Sequence, residues 1–512
     1  MDEKNFMSQK INYEAEFCGR VPLNQTNLIQ PHGILLIVDK NDFRILQLSE
    51  NANEIFGVDL KEILAKPLLN FITDEQAQKL RERFQKEFTG KLPFSFSFPS
   101  GEHLASIHSA NEYLIIEIEK EKRSSNNTES FLNIYQDLKY AMTAVDEATT
   151  TEEACKITTN ELKRISGFDK IMVYQFDEMW NGDVIAEAKA DGMDAYLGLK
   201  FPASDIPKQA RALYKKTAYR LIPNIDYEPV RLYPVLNPKT NAFTDLSNSD
   251  LRSVAGVHLE YLRNMGVVAS MSTRILVDGE LWGLIACHHR TAKYLSFEIA
   301  SVFELLSNVI SSKISSVQKH DVFQYKAKMQ NLYTDLIEEV YKQENIHGSL
   351  INRQEDVLRL LNADGVAFVN DQQIYSFGQT PGESDIHDVI LWLRSNAINS
   401  TYSNSSFVSS FEPSEKYSSI ASGVLALPIQ PEKGNYILAF RPEVLGTVNW
   451  GGNPNEAVQF EQDGKKYHPR NSFNQWQQTV KQTSRPWKKE ELEVAENFRN
   501  FVVAYTLNKF YN

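Results

Sequence analysis

One aspartate of the sequence is held between two prolines, where its carboxylate could act on a ligand. Asp205 lies in the stretch "FPASDIPKQARALY", residues 201–214. Proline fixes φ and moves the preceding residue out of the helical region, so the segment ending at Pro207 is a stiff bend before a helical pattern. Two interpretations are open. Ser204 or Asp205 caps the helix, with Pro207 at its first position, or the acid points into a pocket.

Arginines and histidines elsewhere supply groups that bind anions and conjugated rings. Four arginines could bind carboxylates through two parallel hydrogen bonds: Arg211, Arg220, Arg252 and Arg263. Each alone is more typical of a solvated helix face. His258 and His288 stand in apolar surroundings, where a single histidine is more often a satisfied core residue than a ligand. They could line one pocket with four further residues: Tyr174, Phe201, Asp205 and Tyr261. Such a pocket suits a ligand with acidic groups and a conjugated or apolar body.

The overall composition limits the class of protein. A chain of 512 residues, at roughly 150 residues per domain, is predicted to hold three or four domains. The net charge of −12 and the pI near 5.5 argue against nucleic acid as a main partner. The N-terminus "MDEKNFMSQK" lacks the apolar core of a secretory signal, and no run approaches the ~18 apolar residues of a membrane span. Three widely separated cysteines without metal-site spacing fit a reducing compartment, so we expect a cytoplasmic protein.

The first part of the chain is predicted to form a small α+β unit. "GILLIVD" and "FRILQLS" read as strands around the turn "KNDF", and "PFSFSFPS" and "EYLIIEIEKE" read as two more strands. "TDEQAQKLRERFQKEF" reads as a surface helix with a threonine cap. The polar stretch "KRSSNNTES", residues 122–130, is predicted to be a linker.

The rest of the chain repeats this mixture of elements. Two helices, "NIYQDLKYAMTAVDEA" and "TEEACKITTNELKRISG", precede the strands "KIMVYQFD" and "DVIAEAKA", and "ASMSTRILV" and "LWGLIACHH" form a hairpin through "DGE". A helical pattern from about 295 to 344 is long enough to link domains or pair with a partner helix. The late segment from "NWGGNP" to "QWQQTV" is poorly periodic, as irregular functional or disordered segments are.

Several stretches resemble the phytochrome family, in the family's order along the chain. "CGRVPLNQTNLIQPHGILLIVD" resembles the N-terminal PAS segment of bacterial phytochromes. "FPASDIPKQARALY", "LRSVAGVHLEYLRNMGVVASMS" and "LWGLIACHH" resemble their chromophore-binding GAF domain, and "FRPEVLGTVNWGGNP" and "HPRNSFNQW" the tongue of their PHY domain. The chain is identified as a member of the bacteriophytochromes, matching their photosensory module over nearly its whole length.

The resemblance implies an α+β fold of three sensory domains joined by long helices. The PAS domain would occupy residues 1–125, the GAF domain 126–318 and the PHY domain 319–512, with the tongue at about 448–478 and a knot near the N-terminus.

The resemblance also implies a red/far-red photoreceptor that binds biliverdin, a linear tetrapyrrole, covalently. Cys18 would form the thioether to ring A, with its thiolate favoured by a nearby cation such as Arg20. Cys155 and Cys287 fit packing positions. In plant and many cyanobacterial phytochromes the attaching cysteine stands at the position of Val257, so this chain favours biliverdin over a more reduced bilin.

The family's pocket residues map onto this sequence as follows. Arg220 and Arg252 would hold the propionates, assisted by Ser270, Ser272 and His258. The pyrrole N–H groups would meet the backbone carbonyl of Asp205 and a water ordered by His258, and the ring D carbonyl would meet His288. The residues around ring D would be Met172, Tyr174, Tyr196, Phe201 and Tyr261. Further pocket residues would be Ser204, Ile206, Pro207 and Tyr214.

The tongue residues implied by the resemblance connect this pocket to signalling. The carboxylate of Asp205 would pair with Arg470 of "PRNSF", and light would alter the pairing of Asp205 with Arg470 or Ser472. The tongue would then change from a hairpin to a helix, or back, with Trp450 and Trp476 exchanging places on the GAF surface. The other tongue residues implied are Gly451, Gly452, Pro469 and Phe473.

The expected partners follow from the same resemblance. We expect a homodimer through the GAF domain and the connecting helices, and output to a histidine kinase or a response-regulator pathway. No catalytic residue, metal, nucleic acid or membrane partner is expected in this chain. Two alternatives stay open: a tandem PAS and GAF sensor of another small ligand, and a bilin-binding protein that does not switch. The tongue motifs with Cys18 count against the first, and Asp205 with the intact "PRNSF" counts against the second.

Overall fold

The computed structural model of the chain describes residues 23–84, 88, 90–110, 112–121, 127–454, 458–460 and 467–511. Its contacts divide the chain into two compact units, the first covering Met1–Val317 with Asn449–Trp476 and the second Gln318–Val448 with Gln477–Asn512. The part of the chain that resembles the tongue therefore belongs to the first unit, although it lies far along the sequence.

The described elements alternate between helix and strand in both units. The strands are β1 (Leu28–Ile29), β2 (Gly33–Asp39), β3 (Ile45–Ser49), β4 (Lys91–Phe98), β5 (Gly101–Ala110), β6 (Tyr113–Glu119), β7 (Lys170–Phe176), β8 (Gly182–Lys189), β9 (Lys200–Phe201), β10 (Tyr219–Ile222), β11 (Val230–Tyr233), β12 (Ala269–Val277), β13 (Glu280–His289), β14 (Gly365–Asn370), β15 (Gln373–Gly378), β16 (Tyr402–Asn404), β17 (Gly423–Gln430), β18 (Asn435–Arg441), β19 (Gly446–Gly451), β20 (Val458–Phe460), β21 (Tyr467–Pro469) and β22 (Gln475–Val480). The α-helices are α1 (Asn53–Phe56), α2 (Leu60–Ile63), α3 (Asp74–Phe84), α4 (Asn127–Glu147), α5 (Thr151–Ser166), α6 (Lys208–Lys216), α7 (Gly256–Asn264), α8 (Phe297–Gln343), α9 (Ile346–Asn352), α10 (Gln354–Leu360), α11 (Glu383–Ser395), α12 (Ser418–Ala421) and α13 (Lys489–Tyr511).

The first sheet has the order β1-β11-β3-β2-β6-β5-β4. The strands predicted from "GILLIVD", "FRILQLS", "PFSFSFPS" and "EYLIIEIEKE" are β2, β3, β4 and β6, so these predictions are confirmed. The predicted helix cap is also present, because Thr73 Oγ1 accepts a hydrogen bond from the backbone of Gln76 at 3.3 Å. Strand β5 was not predicted, because "GEHLASIHSA" mixes small and polar residues on both faces.

One strand of this sheet comes from far along the sequence. β11 pairs with β1, where Leu28 lies opposite Arg231, and it pairs antiparallel with β3 on its other side. Gln30 Nε2, just after β1, donates to the carbonyl of Leu221 at 2.9 Å. Residues 1–22 lie outside the described part of the chain, so the expected N-terminal knot stays a prediction.

The second sheet has the order β10-β12-β13-β7-β8-β9-β19-β22 and two chemically different faces. On one face Met271 and Cys287 pack into an apolar core with residues of α4, α5 and α8. Successive side chains of a strand point to opposite faces. Ser270, Ser272 and His288, which alternate with these core residues, therefore lie together on the other face.

The predicted hairpin in this sheet is confirmed. β12 and β13 meet at Asp278 and Gly279, whose φ angles of 51° and 81° fit the two left-handed positions of a type I′ turn. The helix before this sheet is also as predicted, since α5 ends at Gly167 in the left-handed conformation, with φ 65°.

The segment predicted to be irregular contains strands. Trp450 of β19 lies opposite Lys200 of β9 in a parallel pairing, and β22 forms the edge of the same sheet. β20 and β21 pair separately, with Val458 opposite Pro469. The apolar periodicity of the sequence did not predict these strands, because short strands held by backbone pairing need no alternating apolar pattern.

The second unit is a sheet between two layers of helices. Its order is β15-β14-β18-β17-β16. One face packs on residues of α8, α10 and α13, and the other packs mainly on α11. The long helical pattern before it is confirmed as the 47-residue helix α8. The predicted linker at 122–130 is wrong in part, because α4 already begins at Asn127.

Candidate functional site

A short bend presents Asp205 to the polar face of the second sheet. Ala203–Asp205 form a 3₁₀ turn directly after β9. Arg211, one helical turn into α6, donates to the carbonyl of Ile206 at 2.8 Å and lies over the Trp180 ring at 4.6 Å. The Arg211 guanidinium therefore braces the bend that holds Asp205.

The capping interpretation of this bend is wrong. Pro207 is itself the N-cap residue of α6 and so precedes the first helical position, and no side chain caps this helix. Ser204 Oγ is buried without a hydrogen-bond partner among the described residues. Two prolines already fix the backbone here, so the Asp205 carboxylate is available for other contacts.

The Asp205 carboxylate binds a tyrosine and an arginine away from water. Its Oδ2 accepts a hydrogen bond from the Tyr261 hydroxyl at 2.8 Å and forms an ion pair with Arg470. The two charged side chains are only 5% and 3% exposed. Burial raises the pKa of Asp205, and the charge of Arg470 opposes this rise in pKa. A buried pair of this kind depends on the presence of both partners.

The surroundings of Arg470 require two glycines. The guanidinium also donates to the carbonyl of Gly451. A methyl group on Gly451 would come within 2.7 Å of the Phe201 ring, and Gly452 has a φ of 98°, which side chains rarely adopt. Arg470 lies 5.2 Å from the Phe201 ring centre and 4.7 Å from that of Phe473, an arrangement typical of cation–π contacts.

Two histidines on this side of the sheet are neutral, the buried His288 and the half-buried His258. Burial, followed by the charge of Arg220, lowers the pKa of His258 to about 4. Burial, followed by the charge of Lys170, lowers the pKa of His288 to about 3. The His258 ring stacks on Tyr261, with centroids 6.0 Å apart. His288 Nδ1 is buried without a hydrogen-bond partner among the described residues, so a polar ligand atom could satisfy it.

Two arginines converge on one loop. Arg220 donates to the carbonyl of Asp250 at 3.2 Å and to that of Arg252, and Arg252 donates to the carbonyls of Leu246 and Ser247 at 3.1 Å each. Burial, followed by the charge of Arg220, lowers the pKa of Arg252 to about 9. Burial also lowers the pKa of Arg220. Arg252 is buried and Arg220 half-buried, and two guanidiniums held in this way by carbonyls would gain from a carboxylate ligand.

Hydroxyl groups lie on the same face of the sheet as Arg220. In the sheet, Arg220 lies opposite Ser272, and Ser270 lies opposite His288. The Tyr214 hydroxyl and Ser272 Oγ share a hydrogen bond. Guanidinium and hydroxyl groups on one face can bind anionic oxygens, whereas the other face of the same strands is apolar.

Aromatic side chains close the opposite end of the polar face. The buried members of this cluster include Met172, Tyr174, Tyr196 and Phe201. The Phe201 ring lies 6.0 Å from that of Tyr174 and 5.6 Å from that of Tyr196. Burial raises the pKa of Tyr196 to about 12, and burial also raises the pKa of Tyr174 well above its ordinary value. Ile206, Tyr214 and Phe473 pack against the same cluster.

A buried lysine of the site was missed by the sequence analysis. Lys170 Nζ lies 3.5 Å from the ring centre of Tyr196 and 3.8 Å from Glu187 Oε1, which also accepts from the Tyr196 backbone at 3.0 Å. Burial lowers the pKa of Lys170 to about 8. The period-two pattern of "KIMVYQFD" could have found it, since Lys170 shares a face with Met172.

A second missed contact joins α7 to the late segment. His468 Nδ1 lies 2.9 Å from Glu260 Oε1. Asn264 of the same helix donates to the carbonyl of Arg470 at 3.2 Å. The signal in the sequence was that Glu260 stands two residues after His258, which places an acid on the same helix as a residue of the site.

The remaining expected residues have diverse positions. Val257 lies in α7 beside His258. Pro469 ends β21, and Trp450 and Trp476 lie in β19 and β22. Ser472 is exposed, and Arg470 is the residue of this segment that forms an ion pair with Asp205.

The three cysteines divide into two groups. Cys18 lies outside the described residues. Cys155 and Cys287 are buried, and burial raises the pKa of Cys155 to about 12 and raises that of Cys287 as well, as expected of packing residues.

Within the described residues, no group of three or more His, Cys, Asp or Glu side chains could hold a metal ion. Nor does any helix described here have the length and apolar character needed to cross a membrane.

Three family models match successive parts of the chain. A model described as "PAS fold" matches residues 18–121, one described as "GAF domain" matches residues 150–314, and one described as "Phytochrome region" matches residues 329–510.

Curated relatives align over almost the whole chain. Cyanobacterial phytochrome B of Nostoc sp. is 38% identical over 498 residues, which cover 96% of this chain and 66% of the relative. A bacteriophytochrome of Xanthomonas campestris pv. campestris is 31% identical over 521 residues, covering 97% of this chain and 80% of the relative. The chain thus spans about two thirds of the length of the Nostoc relative.

Solved structures agree in fold. A crystal structure of a bacteriophytochrome from R. palustris matches with a TM-score of 0.83 and 34% identity, over 96% of this chain and 99% of that one. The photosensory core module of a Stigmatella aurantiaca phytochrome matches with a TM-score of 0.83 and 32% identity, over 96% and 98%.

Proposed function

The chain belongs to the phytochrome family, and from this premise we propose that it is the light-sensing module of a red/far-red photoreceptor that binds biliverdin. The observation that carries the proposal is the buried ion pair between Asp205 and Arg470. It links a pocket suited to a conjugated acid with the segment 448–478, which we propose to be the signalling tongue. The proposed domains are PAS at 1–125, GAF at 126–318 and PHY at 319–512.

The residues present fit a bilin, which has two propionates, pyrrole N–H groups and a long conjugated body. Arg220 and Arg252, each held by backbone carbonyls, would take the propionates, assisted by Ser270, Ser272 and His258. His288, whose Nδ1 lacks a partner among the described residues, would bind the ring D carbonyl. The backbone of Asp205 and a water held by His258 would accept from the pyrroles.

Covalent attachment is proposed at Cys18, which lies outside the described residues. Its thiol would add across a ring A vinyl group, with sulfur bonding to one carbon and the proton going to the other, so that no oxidant is needed. The buried Cys155 and Cys287 are poor candidates, because burial raises the pKa of both thiols.

Bound biliverdin would supply light absorption and rotation about the double bond between its rings C and D. The aromatic side chains of Tyr174, Tyr196, Phe201 and Tyr261 would pack around that ring. The Tyr261 hydroxyl, which donates to Asp205, could change partner and so weaken the Asp205–Arg470 pair. A tongue released from Asp205 would then change between strand and helix, with Trp450 and Trp476 exchanging places. Inverting such a two-state population takes about 5.5 kcal/mol, within reach of a broken charge pair and repacked rings.

The signal is proposed to leave through the long helices toward a histidine kinase or a response-regulator pathway. We also propose a homodimer through the GAF domain and the connecting helices, in the cytoplasm. Exposed apolar side chains on α4 support this, since Leu132, Tyr135 and Tyr140 are 54%, 50% and 65% exposed.

The test is an absorption spectrum of the chain mixed with biliverdin, recorded after red and then far-red light. A red band that moves reversibly to the far-red is the expected result, and Cys18→Ala should then lose the covalent bond but keep binding. A band that stays fixed would instead support a bilin-binding protein that does not switch. If no band forms, the proposed photoreceptor function is wrong and a sensor of another small ligand is favoured.

A further inference from the structure

The loop that carries Arg252 is held from two opposite sides. From the pocket side, Arg220 donates to the carbonyls of Asp250, at 3.2 Å, and of Arg252. Arg252 folds back on the same loop and donates to the carbonyl of Ser247 at 3.1 Å. The directions of both guanidiniums therefore depend on where residues 246–252 lie.

From the other side, this loop is held by a carboxylate of the first sheet. Glu117 of β6 accepts two hydrogen bonds through its Oε2, from Ser249 Oγ and from the Leu251 backbone, at 2.8 Å each. Its other oxygen lies 3.3 Å from Lys91 Nζ of β4, and Lys91 also pairs with the Asp250 carboxylate. The Glu117 side chain is only 6% exposed, so these hydrogen bonds form in a low-dielectric setting.

Lys91, Glu117 and Asp250 form a cluster of charges that also interacts electrostatically with the two arginines. The cluster and the arginines together contain three cations, Lys91, Arg220 and Arg252, and two carboxylates, Glu117 and Asp250. The carboxylates of Asp250 and Glu117 act against the burial that lowers the pKa of Arg252 to about 9. His108, whose Nδ1 is 3.8 Å from Glu117, adds no charge, because burial lowers the pKa of His108 to about 3. Because the three cations outnumber the two carboxylates, these five groups favour the binding of ligand carboxylates.

We propose that Glu117, assisted by Lys91 and Asp250, is a positioning residue for ligand carboxylates. It fixes residues 249–251 from the PAS sheet and thereby directs Arg220 and Arg252 toward the two propionates of the bilin. The inference rests on the proposed function, because it identifies the ligand carboxylates as those of biliverdin. Glu117 itself does not contact the ligand, so its effect passes through the two arginines.

A purely structural role for Glu117 predicts a different result. If Glu117 only joins the first sheet to the loop at 246–252, its substitution should weaken the binding of every bilin equally. A residue that directs the arginines would weaken binding only of bilins with free carboxylates. Biliverdin and biliverdin dimethyl ester share the tetrapyrrole and differ only at the propionates, which carry methyl groups and no charge in the ester.

The experiment measures the affinity of the full chain for both compounds, by absorption titration in a Cys18→Ala background that keeps binding reversible. The Glu117→Gln substitution keeps the side-chain shape but removes the charge. We expect it to lower the affinity for biliverdin about tenfold, equivalent to about 1.4 kcal/mol. The affinity for the dimethyl ester should change less than about twofold by the same arithmetic. In the chain without ligand, the Leu251 amide should exchange its hydrogen faster.

The matched control is Asp39→Asn. Asp39 of β2 pairs with Lys239 at 2.6 Å. This substitution therefore also breaks an ion pair between the first sheet and a residue that follows β11, but outside the loop at 249–252. It should leave the ratio of the two affinities unchanged. If Glu117→Gln does not fold, Ser249→Ala removes one of the two donors to Glu117 and should lower the same ratio by a smaller factor.

Each outcome decides between the hypotheses. If Glu117→Gln weakens the binding of both compounds equally, the ratio of the two affinities does not change. That result would show that Glu117 is structural and would overturn the inference, while the parent chain would still bind biliverdin. Failure of the parent chain to bind biliverdin at all would instead overturn the proposed function.

Discussion

Asp205 holds its negative charge where most water has been removed, and Arg470 is the cation that compensates it. Removing the Asp205 carboxylate from water costs free energy, and this cost is seen in the raised pKa of Asp205. A buried charge without its partner costs more than the intact ion pair, and also more than replacing both partners by apolar residues. The pair is therefore a poor source of net stability but a strong determinant of which segment covers the pocket.

Arg470→Ala should release the tongue from this side of the sheet. The substitution leaves the Asp205 carboxylate buried without its cation. We therefore expect the free energy of opening of the segment 449–476 to fall by about 3–5 kcal/mol. Hydrogen exchange of the Gly452 amide, which donates to the Asn474 carbonyl at 2.9 Å, reports this opening. The control is Arg263→Ala, whose pair with Asp226 is 54% and 62% exposed and should contribute at most about 1 kcal/mol. Unchanged protection of Gly452 in the Arg470 variant would contradict the prediction.

The two neutral histidines of the site, His258 and His288, should make the chain less stable in mild acid. A histidine in the unfolded chain has its ordinary pKa of 6.5. In the folded chain the pKa is lowered to about 4 for His258 and to about 3 for His288. Between these limits the unfolded state binds more protons, so the free energy of unfolding falls as pH falls, by up to about 1.4 kcal/mol per pH unit for each histidine. Urea unfolding of the ligand-free chain at pH 7 and pH 5 measures the difference.

Substitution separates this effect from general acid sensitivity. His288→Gln should reduce the loss of stability between the two pH values, because one proton-binding group of the unfolded state has been removed. His387→Gln, on the exposed surface of α11, controls for the loss of an imidazole elsewhere. Equal pH dependence in the parent chain and the His288 variant would rule out His288 as a contributor.

Local residue patterns predicted the chemistry of the site better than its contacts. The stiff bend at Asp205 and the apolar settings of His258 and His288 were readable from the sequence. The partner of Asp205 was not, because Arg470 is 265 positions away, and only the family resemblance connected them. Lys170 was overlooked because a lysine at a strand end is usually solvated, whereas here an aromatic ring and Glu187 replace the water.

The strand β19 can pack closely against Phe201 because it lacks a side chain at Gly451. The ring of Phe201 fills the space where a Cβ would lie, and Arg470 donates to the Gly451 carbonyl beside it. The strand therefore depends on close packing against Phe201 as well as on the charge pair.

Gly451→Ala should loosen this strand. The added methyl group would come within 2.7 Å of Phe201, and overpacking of this kind costs about 1–3 kcal/mol. Limited proteolysis of the ligand-free chain should then cut the segment 449–476 faster. Gly446→Ala in the same strand is a matched control, because the nearest atom to its added methyl group would be 3.8 Å away. Similar cleavage rates for both variants would show that contact with Phe201 does not limit opening.

Elements with strong local signals were predictable, and those held by distant partners were not. The "DGE" turn and the glycine stop after α5 are encoded in a few neighbouring residues. The strands β19 to β22 have irregular sequences, because their pairing partners and the arginine contact stabilise them instead of an apolar stripe.

The first unit joins two family domains through one shared sheet. β11, from the part matched by the GAF model, lies between β1 and β3 of the first sheet, and Glu117 of that sheet holds the loop at 249–251. A composition-based count of domains could not foresee this, because it treats each domain as a separate stretch of sequence.

We therefore expect these two domains to open together. Hydrogen exchange of the full chain should give the same opening free energy for the strand amides of β2, β6, β12 and β13, because separating the sheets also breaks the pairing of β11 with β3. A clearly lower value for β2 and β6 would mean that the first sheet unfolds independently, against this expectation. Amides of β14 and β18 in the second unit provide the internal comparison.

The position of β11 in the sequence also determines when the first sheet can be completed during synthesis of the chain. Leu28 lies opposite Arg231, so about 200 residues must follow β1 out of the ribosome before its partner exists, which takes roughly 10–40 seconds at about 5–20 residues per second. During that interval the edge of β3 that β11 later covers is open to other chains. Slower translation of the first half would lengthen this exposure, so the yield of native protein should depend on synthesis rate and on chaperones that occupy that edge.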